Sequence, residues 1–430
     1  MTAAPSAPPR APAATRVEVV TIGDELLLGF TIDTNAAHLA RALASIGMHI
    51  VRRTTVGDAA EAIATAVREA LDRTGAVITT GGLGPTSDDL TKPAIATLFS
   101  RGMELDEAHL RWMAERWEKR FNRPLPAANR QQAMIPAGAV KLENNHGSAP
   151  GIWLEDEAGR WVAMLPGVPR EMRGMLEDTL LPRLERRAGT GTVVRSLTLR
   201  TTGVGESLLA DRIDSMDGGP LAASLAYLPS IAGVDLRLTV RDVSWPDADA
   251  VLRRDATRLR ELLGTAIYGE DDDDLAAVVL RLCRERGMSI AVAESCTGGL
   301  LGARLSAIDG ASAVLLGGVI AYHNDVKVTL LGVSGATLAD HGAVSEEAVR
   351  QMATGARRAT NATVGLAITG VAGPSGGTVE KPVGTVWISA DVNGEVHSRL
   401  LKLWGDREEI RQRSAQWTLG LLRERLIALG

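Results

Sequence analysis

The first part of the chain alternates short apolar runs with amphipathic segments of helical length. Strands are predicted at residues 17–22, in a run that ends before Gly57, and at residues 76–80. Helices that end near Gly47 and Arg73 separate these strands. Strands that alternate with helices of this length predict a parallel sheet with helices on its faces.

Two further alternating patterns follow. The middle part predicts a small α+β domain with strands at residues 192–200, 222–228 and 234–241, a short helix after Gly203 and a helix at residues 245–263. The last part predicts a second α/β domain with helices at residues 275–286 and 300–305, strands ending at Ala293 and Thr369, a hairpin at Asn393-Gly394 and a terminal helix from Gly405.

The chain divides into a tail and three predicted domains, because 430 residues are too many for one ordinary core. Residues 1–15 are rich in Ala and Pro and are expected to be disordered. The domains are predicted at residues 16–185, 190–265 and 272–430. The run that begins at Arg186 is interpreted as a linker.

Composition excludes several classes of protein. With 45% hydrophobic residues and a net charge of −5, the chain has the character of a globular protein without a general electrostatic affinity for nucleic acid. No apolar run reaches the length of about 20 residues that crosses a bilayer. Two cysteines and no secretory signal fit a reducing compartment, so a cytoplasmic location is expected.

The turn after the strand that ends at Ala293 carries the first candidate chemistry. Ser295 lies at the carboxyl edge of the predicted sheet, where open α/β sheets bind ligands. Lys327 follows the next apolar run and could remove the serine proton if burial lowers its pKa. Two alternatives remain: Ser295 and Thr297 only cap a helix while Lys327 is a solvated surface residue, or Cys296 is the nucleophile.

A glycine-rich turn after the strand at residues 76–80 is the second candidate site. Its glycines would let backbone amides approach an anionic ligand, and Asp88 and Asp89 could hold a divalent cation against phosphate oxygens. The same residues also form ordinary turns and helix caps.

Three other segments have structural interpretations. A helix predicted over residues 103–121 carries Met113 and Trp117 on an apolar stripe that would face the core. His146 has no partner at metal-ligand spacing. The acidic run after Tyr268 is interpreted as a solvated linker or a helix start.

Three segments of the last domain closely resemble the C-terminal domain of the CinA family: residues 293–299, residues 322–327 and residues 367–374. The resemblance implies an amidohydrolase that converts nicotinamide mononucleotide to nicotinate mononucleotide and ammonia, without a metal. Ser295 maps to the nucleophile and Lys327 to the base. The other implied site residues are Tyr322 and Asn324, which would orient this pair, Cys296, Thr297 and Gly298 in the oxyanion turn, Gly370, Ala372 and Gly373 near phosphate or ribose, and Arg407 as a phosphate clamp.

The first domain is similar to the molybdopterin-binding fold, in the branch that forms the CinA N-terminal domain. The resemblance rests on residues 23–27, Asn35, residues 81–91, 147–151 and 165–172. It implies hydrolysis of the ADP-ribose pyrophosphate with a divalent metal ion such as Mg, Mn or Co. The implied site residues are Asp58, Asp88 and Asp89 for the metal, Asp24 and Asn35 for the nucleotide, and Gly82, Gly84, Pro85 and Thr86 for phosphate.

The whole chain beyond the tail therefore predicts a three-layer molybdopterin-binding-like domain, a KH-like middle domain and a CinA deamidase domain. The family suggests a homodimer, whereas membrane and nucleic-acid partners are not expected. Four alternatives stay open: only one active site, pterin binding or adenylyl transfer by the first domain, a competence-related or DNA-damage-related interaction protein, and Asp58 as a helix cap.

Overall fold

The computed structural model describes residues 15–188 and 192–429. The predicted tail, apart from Thr15, and part of the predicted linker lie outside these ranges. The described chain forms two compact units: residues up to Arg195 with Arg241–Asp249, and Ser196–Val240 with the residues from Ala250 onward. Within the described residues, no helix combines the length and apolarity needed to cross a bilayer.

Apolar runs and amphipathic segments become the strands and helices of the first domain. The elements are β1 Arg16–Ile22, α1 Asp24–Leu27, α2 Thr34–Ser45, β2 His49–Val56, α3 Ala60–Thr74, β3 Ala76–Thr80, α4 Thr91–Leu98, β4 Met103–Leu105, α5 Glu107–Phe121, β5 Met134–Pro136, β6 Val140–Leu142, β7 Gly151–Glu155, β8 Trp161–Leu165, α6 Pro169–Met175 and α7 Leu181–Ala188.

One six-stranded sheet organises the first domain, in the order β2-β1-β3-β8-β7-β6. The pairs among β2, β1, β3 and β8 are parallel, and β7 is antiparallel to its neighbours. Successive residues of β1 point to opposite faces, so Val19 and Val20 enter two separate cores. Helices cover both cores, which confirms the predicted three-layer architecture.

The helix predicted over residues 103–121 is shorter in the structure. Met103–Leu105 form strand β4, which pairs with β5. Asp106 accepts a hydrogen bond from the His109 backbone N–H and caps α5. An N-cap residue has non-helical backbone angles, so the helix begins after Asp106.

The middle domain is an antiparallel sheet with helices. Its elements are β9 Val193–Thr201, α8 Glu206–Asp214, β10 Ser224–Pro229, β11 Val234–Val243, α9 Trp245–Leu263 and β12 Ile267–Glu270, with the strand order β10-β11-β9-β12. The sheet therefore extends beyond the predicted limit of 265. Tyr268 is buried in β12, whereas Asp271, Asp272 and Asp273 of the acidic run after it are exposed, as a solvated run predicts. Asp274, at the end of the acidic run, caps the next helix.

The last domain contains a five-stranded mixed sheet in the order β14-β13-β15-β16-β17. The pairs β14–β13 and β13–β15 are parallel, and the pairs β15–β16 and β16–β17 are antiparallel. The elements are α10 Leu275–Glu285, β13 Ile290–Glu294, α11 Leu300–Ser306, β14 Leu315–Ile320, α12 Asn324–Leu331, α13 Gly335–Asp340, α14 Glu346–Thr360, β15 Val364–Gly370, β16 Thr385–Val392, β17 Glu395–Lys402 and α15 Arg407–Ala428.

Candidate active site

The turn between β13 and α11 places Ser295 at the carboxyl edge of the sheet. The backbone N–H of Ser295 donates to Ile368 O on the neighbouring strand β15, at 3.0 Å. Ser295 is 9% exposed, so its hydroxyl lies in a nearly enclosed position at the end of a central strand. This is the position that the sequence predicts.

Glu294, the last residue of β13, holds the turn in place and was not predicted as a site residue. Its buried carboxylate accepts three hydrogen bonds, from the backbone N–H groups of Gly299, Leu301 and Gly302 at 2.8–3.1 Å. A carboxylate at a helix N-terminus satisfies amides that lack intrahelical partners and interacts favourably with the helix dipole. The sequence signal is an acidic residue at the end of a buried strand, a few residues before a helix.

Lys327 lies on α12 and is buried, with 1% of its surface exposed. Its Nζ atom is 3.2 Å from Ser295 Oγ, 2.7 Å from Ala321 O and 3.3 Å from Tyr322 O. The structure thus brings the predicted serine and lysine together. It contradicts the alternative in which Lys327 is a solvated surface residue. It also contradicts the alternative in which Ser295 and Thr297 cap the helix, because the N-cap residue of α11 is Gly299 and no side chain caps this helix.

Burial lowers the pKa of Lys327 from its ordinary value, because a charged amine loses solvation. A neutral amine has two N–H donors and one lone pair. The carbonyl groups of Ala321 and Tyr322 can accept from the two donors, which leaves the lone pair for the hydroxyl proton of Ser295. The arrangement can therefore activate the serine as a nucleophile.

Cys296 does not have the environment of a reactive thiol. Its side chain is part of the hydrophobic core of the domain. Burial raises the pKa of the Cys296 thiol to about 12, and the Glu294 carboxylate acts in the same direction. Because the thiolate is the nucleophilic form, the geometry favours Ser295 over Cys296.

Cys296→Ala is therefore expected to keep the amidohydrolase activity proposed below within about threefold of wild type and to cost about 1 kcal/mol of stability, since a small buried group is lost. Steady-state kinetics and thermal unfolding of the two proteins test this. A loss of activity above about 100-fold with an intact fold would restore the cysteine as the nucleophile.

Thr297 has hydrogen bonds that stabilise the serine turn through its backbone and not through its side chain. Its carbonyl accepts from Arg411 Nη2 and Nε at 2.9 and 3.3 Å, so α15 supports the turn. The side chain is fully buried and its Oγ1 has no hydrogen-bond partner among the described residues. Gly298 lies next in the turn with a φ of +61°, a conformation that favours glycine.

Arg407 joins two of the predicted segments. Its Nη1 donates to Gly373 O at 2.6 Å and its Nη2 donates to Tyr322 Oη at 2.9 Å. The sequence predicts that Arg407 binds phosphate, but both terminal nitrogens of its guanidinium group donate to protein groups here. The contacts nevertheless bring Tyr322, Gly373 and Arg407 together beside the serine turn.

Three predicted residues have other surroundings. Asn324 is exposed at the start of α12, and within the described chain no hydrogen bond links its side chain to Ser295 or Lys327. Ala372 is buried in the hydrophobic core, and a Cβ at Gly370 would lie 2.6 Å from a Val386 methyl group. Packing against the sheet explains both small residues without a ligand, and the assigned orienting role of Asn324 is not supported.

In the first domain, Asp89 organises the glycine-rich turn. Its carboxylate accepts from the backbone N–H groups of Gly84 and Thr86 at 2.7 and 2.8 Å and from the Thr86 hydroxyl. Pro85 lies between these two residues. A Cβ on Gly84 would approach Asp89 Oδ2 to 2.5 Å, and one on Gly82 would approach Thr91 Oγ1 to 2.1 Å. Both glycines thus permit close packing within the turn, and Asp89 is committed to shaping it.

Asp58 and Asp24 make reciprocal contacts. Asp24 N donates to Asp58 Oδ2 at 2.9 Å, and Asp58 N donates to Asp24 Oδ1 at 3.3 Å. Helix α3 is capped by Ala59, so Asp58 does not act as its cap. Burial raises the pKa of Asp58, and the negative charges of Asp24, Glu25 and Asp88 raise it further.

These carboxylates fit a metal ion only in part. Among the described residues, no group of three or more His, Cys, Asp or Glu side chains could hold a metal ion. Within the described chain neither Asp58 nor Asp88 pairs with a Lys or Arg side chain, although Asp58 accepts from Asp24 N and Asp88 from Thr86. Two such carboxylates suit a cation that also binds substrate phosphates. Asn35 donates from Nδ2 to Gly167 O at 2.7 Å, and its buried Oδ1 has no partner within the described chain.

The fold and the site define a multidomain α/β protein with a buried serine–lysine pair in its last domain. Three family models match it: the probable molybdopterin binding domain at residues 18–186, the damage-inducible protein CinA KH domain at 196–269 and the CinA C-terminal domain at 272–426. A CinA-like protein of Gemmatimonas aurantiaca is 60% identical over 408 residues, which cover 95% of each chain. The chain belongs to the CinA family of competence/damage-inducible proteins, as its motifs predict.

Other relatives cover the chain to different extents. A CinA-like protein of Salinibacter ruber is 44% identical over 393 residues, covering 91% of this chain and 95% of its own. The crystal structure of the competence/damage inducible protein CihA from Agrobacterium tumefaciens shares 41% sequence identity over 36% of this chain and 93% of its own, with a TM-score of 0.34.

Proposed function

We propose that the last domain is an amidohydrolase that converts nicotinamide mononucleotide to nicotinate mononucleotide and ammonia. The observation that carries this proposal is the 3.2 Å approach of Lys327 Nζ to Ser295 Oγ in a buried position at the sheet edge. A serine paired with a desolvated amine can perform acyl transfer without a metal. The choice of substrate comes from the resemblance of the surrounding motifs to the family.

Lys327 and Ser295 would act in both halves of the reaction. Lys327 takes the hydroxyl proton while Ser295 Oγ forms a bond to the carboxamide carbon, and the carbonyl oxygen becomes an oxyanion. Collapse of this intermediate breaks the C–N bond, and Lys327 delivers the proton to the departing ammonia. Lys327 then removes a proton from water, which attacks the ester and releases nicotinate mononucleotide and Ser295.

The backbone of the turn offers donors for the oxyanion. Among the described residues, no carbonyl group accepts a hydrogen bond from the backbone N–H of Cys296 or Thr297, and the N–H of Cys296 also lies near its own thiol. The Glu294 and Arg411 contacts hold this backbone before substrate arrives. Each donor of this kind contributes about 3–4 kcal/mol in enzymes where it has been removed.

The pH dependence of kcat/KM should show Lys327 as the essential base. The amine must be neutral to accept the serine proton, so activity is expected to rise with pH and to level off above the pKa of Lys327. Because burial lowers that pKa, the inflection should lie below the ordinary lysine value of about 10.5. A pH–rate profile measures this inflection. If kcat/KM instead falls as the pH rises toward about 10.5, the assignment of Lys327 as the base is contradicted.

Product analysis tests the proposed reaction. Chromatography and mass spectrometry should show nicotinate mononucleotide and ammonia in equal amounts from nicotinamide mononucleotide. Free nicotinamide, which has the carboxamide but neither ribose nor phosphate, should react far more slowly. Release of free nicotinamide or ribose 5-phosphate from the mononucleotide would instead indicate cleavage of the glycosidic bond and would contradict an amidohydrolase.

A second candidate function belongs to the first domain, because carboxylates without a Lys or Arg partner in the described chain lie beside a glycine-rich turn. We propose that Asp58 and Asp88 hold a divalent cation together with the diphosphate of ADP-ribose, while the turn that Asp89 shapes faces the phosphates. A bound cation would shield the phosphate charge from an attacking nucleophile. AMP and ribose 5-phosphate should appear with Mg²⁺ and wild-type protein, and not with Asp58→Asn or chelator. Equal activity of Asp58→Asn would contradict this site.

A further inference from the structure

The first domain contains a separate cavity of about 410 Å³ between helix α5, the turn at residues 145–148 and the start of α6. Its volume lies in the range of small-molecule sites. The lining includes neither the acidic residues Asp24, Asp58 and Asp88 nor the glycine-rich turn at 81–91. Part of its lining lies in the segments 147–151 and 165–172 that resemble the family, but it includes none of the residues assigned to the proposed reactions.

Aromatic side chains of α5 line the cavity. Trp112 and Phe121 are 37% and 47% exposed, while Met113 on the same helix is buried. The Trp117 and Phe121 rings lie 4.5 Å apart between centroids. The sequence predicts that the apolar stripe of this helix faces the core, and Met113 does so. Its aromatic neighbours are more exposed and line the cavity. The Trp112 ring also stacks with His109, at 5.2 Å between centroids, and aromatic rings of this kind suit stacking on a planar ligand ring.

Arginines give the same cavity a positive charge. Arg116, Arg120 and Arg170 line it, and none of them forms an ion pair with another described residue. The guanidinium groups of Arg116 and Arg120 lie 5.2 Å from the ring centroids of Trp112 and Phe121, respectively. The lining carboxylate, Glu171, accepts from Asn144 Nδ2 at 2.6 Å. Arginine is well suited to phosphate, since its planar fork matches two phosphate oxygens.

We propose that this cavity binds a nucleoside phosphate, with the aromatic base against the α5 rings and the phosphate on the arginines. The lining combines aromatic rings with arginines. A purely apolar ligand would not contact the three positive charges, and a simple anion would not contact the aromatic rings. Binding requires neither the serine–lysine pair nor a metal ion. AMP is also a product of the proposed ADP-ribose hydrolysis, so substitutions in the cavity lining, which includes none of the acidic residues assigned to that reaction, separate the two sites.

Isothermal titration calorimetry with AMP, in the presence of EDTA, tests the proposal on the full-length protein. Wild type should bind AMP, and adenosine or ribose 5-phosphate should bind at least 10-fold more weakly, since each offers only one half of the ligand. The double variant Arg116→Gln/Arg120→Gln should weaken AMP binding at least 10-fold. Arg111→Gln is the matched control, because Arg111 lies on the same helix, outside the cavity lining, and pairs with Glu107.

Arg170→Gln, on α6 rather than α5, should also weaken AMP binding. It replaces the double variant in the test if circular dichroism shows that the double variant does not fold. No measurable AMP binding to wild type would overturn the proposal. So would AMP binding that is unchanged in the cavity variants, or that falls equally in Arg111→Gln. Binding of an oligothymidylate without binding of AMP would overturn it as well and would assign the surface to single-stranded nucleic acid.

Discussion

Lys327→Met is expected to lower kcat/KM for nicotinamide mononucleotide at least about 10³-fold, because a positioned general base contributes roughly 10²–10⁴-fold and, among the described residues, no other basic side chain is hydrogen-bonded to Ser295 Oγ. Methionine has a similar length and no charge, so it can fill the buried site of the amine. The fold should be kept, with a melting temperature close to that of wild type, since removing the cost of burying an amine offsets the loss of its hydrogen bonds to the Ala321 and Tyr322 carbonyls. Steady-state ammonia release and calorimetric unfolding measure the two effects.

Lys402→Met is the matched control, because Lys402 is an exposed lysine at the end of β17 in the same domain. It should change neither activity nor stability appreciably. The assignment of Lys327 fails if its methionine variant, correctly folded, retains more than about a tenth of the wild-type kcat/KM.

Glu294→Ala is expected to lower both stability and activity, although Glu294 does not contact the serine–lysine pair by any hydrogen bond in the described chain. The substitution leaves three backbone N–H groups at the start of α11 without their acceptor. Unsatisfied buried groups cost about 1–3 kcal/mol each, and partial hydration reduces the sum, so we expect a loss of about 3 kcal/mol. Looser geometry of the serine turn should lower kcat by about 100-fold.

Glu294→Gln separates the positioning role from a general loss of packing. Its amide oxygen can still accept from the turn, so stability and kcat should lie between those of wild type and the alanine variant. Thermal unfolding together with separate kcat and KM values measures this. If Glu294→Ala unfolds like wild type, or if KM alone changes, Glu294 does not hold the turn as we infer.

Local patterns predict the framework of the site well. The strand that ends before Ser295 is an apolar run buried on both faces, and the helix after it shows clear spacing, so their junction lies at the sheet edge. Lys327 follows the next strand, and parallel neighbours end at the same edge. The Asn393-Gly394 turn also forms the predicted hairpin, with φ values of +53° and +98°.

Contacts between distant segments are what local patterns miss. Glu294 and Arg411 support the turn from a strand end and from the terminal helix. The position of Glu294, at the end of a buried strand just before a helix, is a local signal, whereas the sequence context of Arg411 is not distinctive. Ala372 and Asn324 lie in segments that resemble the family, but the first packs in the core and the second faces solvent. In the first domain, Asp89 carries the expected acidic side chain, yet its oxygens are bound to the turn that it shapes.

Ammonia release from nicotinamide mononucleotide by full-length protein, with EDTA present throughout, tests the central claim most directly. The account predicts release by wild type and a loss of at least about 10³-fold in Ser295→Ala, because the hydroxyl that attacks the carboxamide is gone. Asp58→Asn should release ammonia at the wild-type rate. Release by Ser295→Ala at the wild-type rate, or no release by correctly folded wild type, would contradict the account.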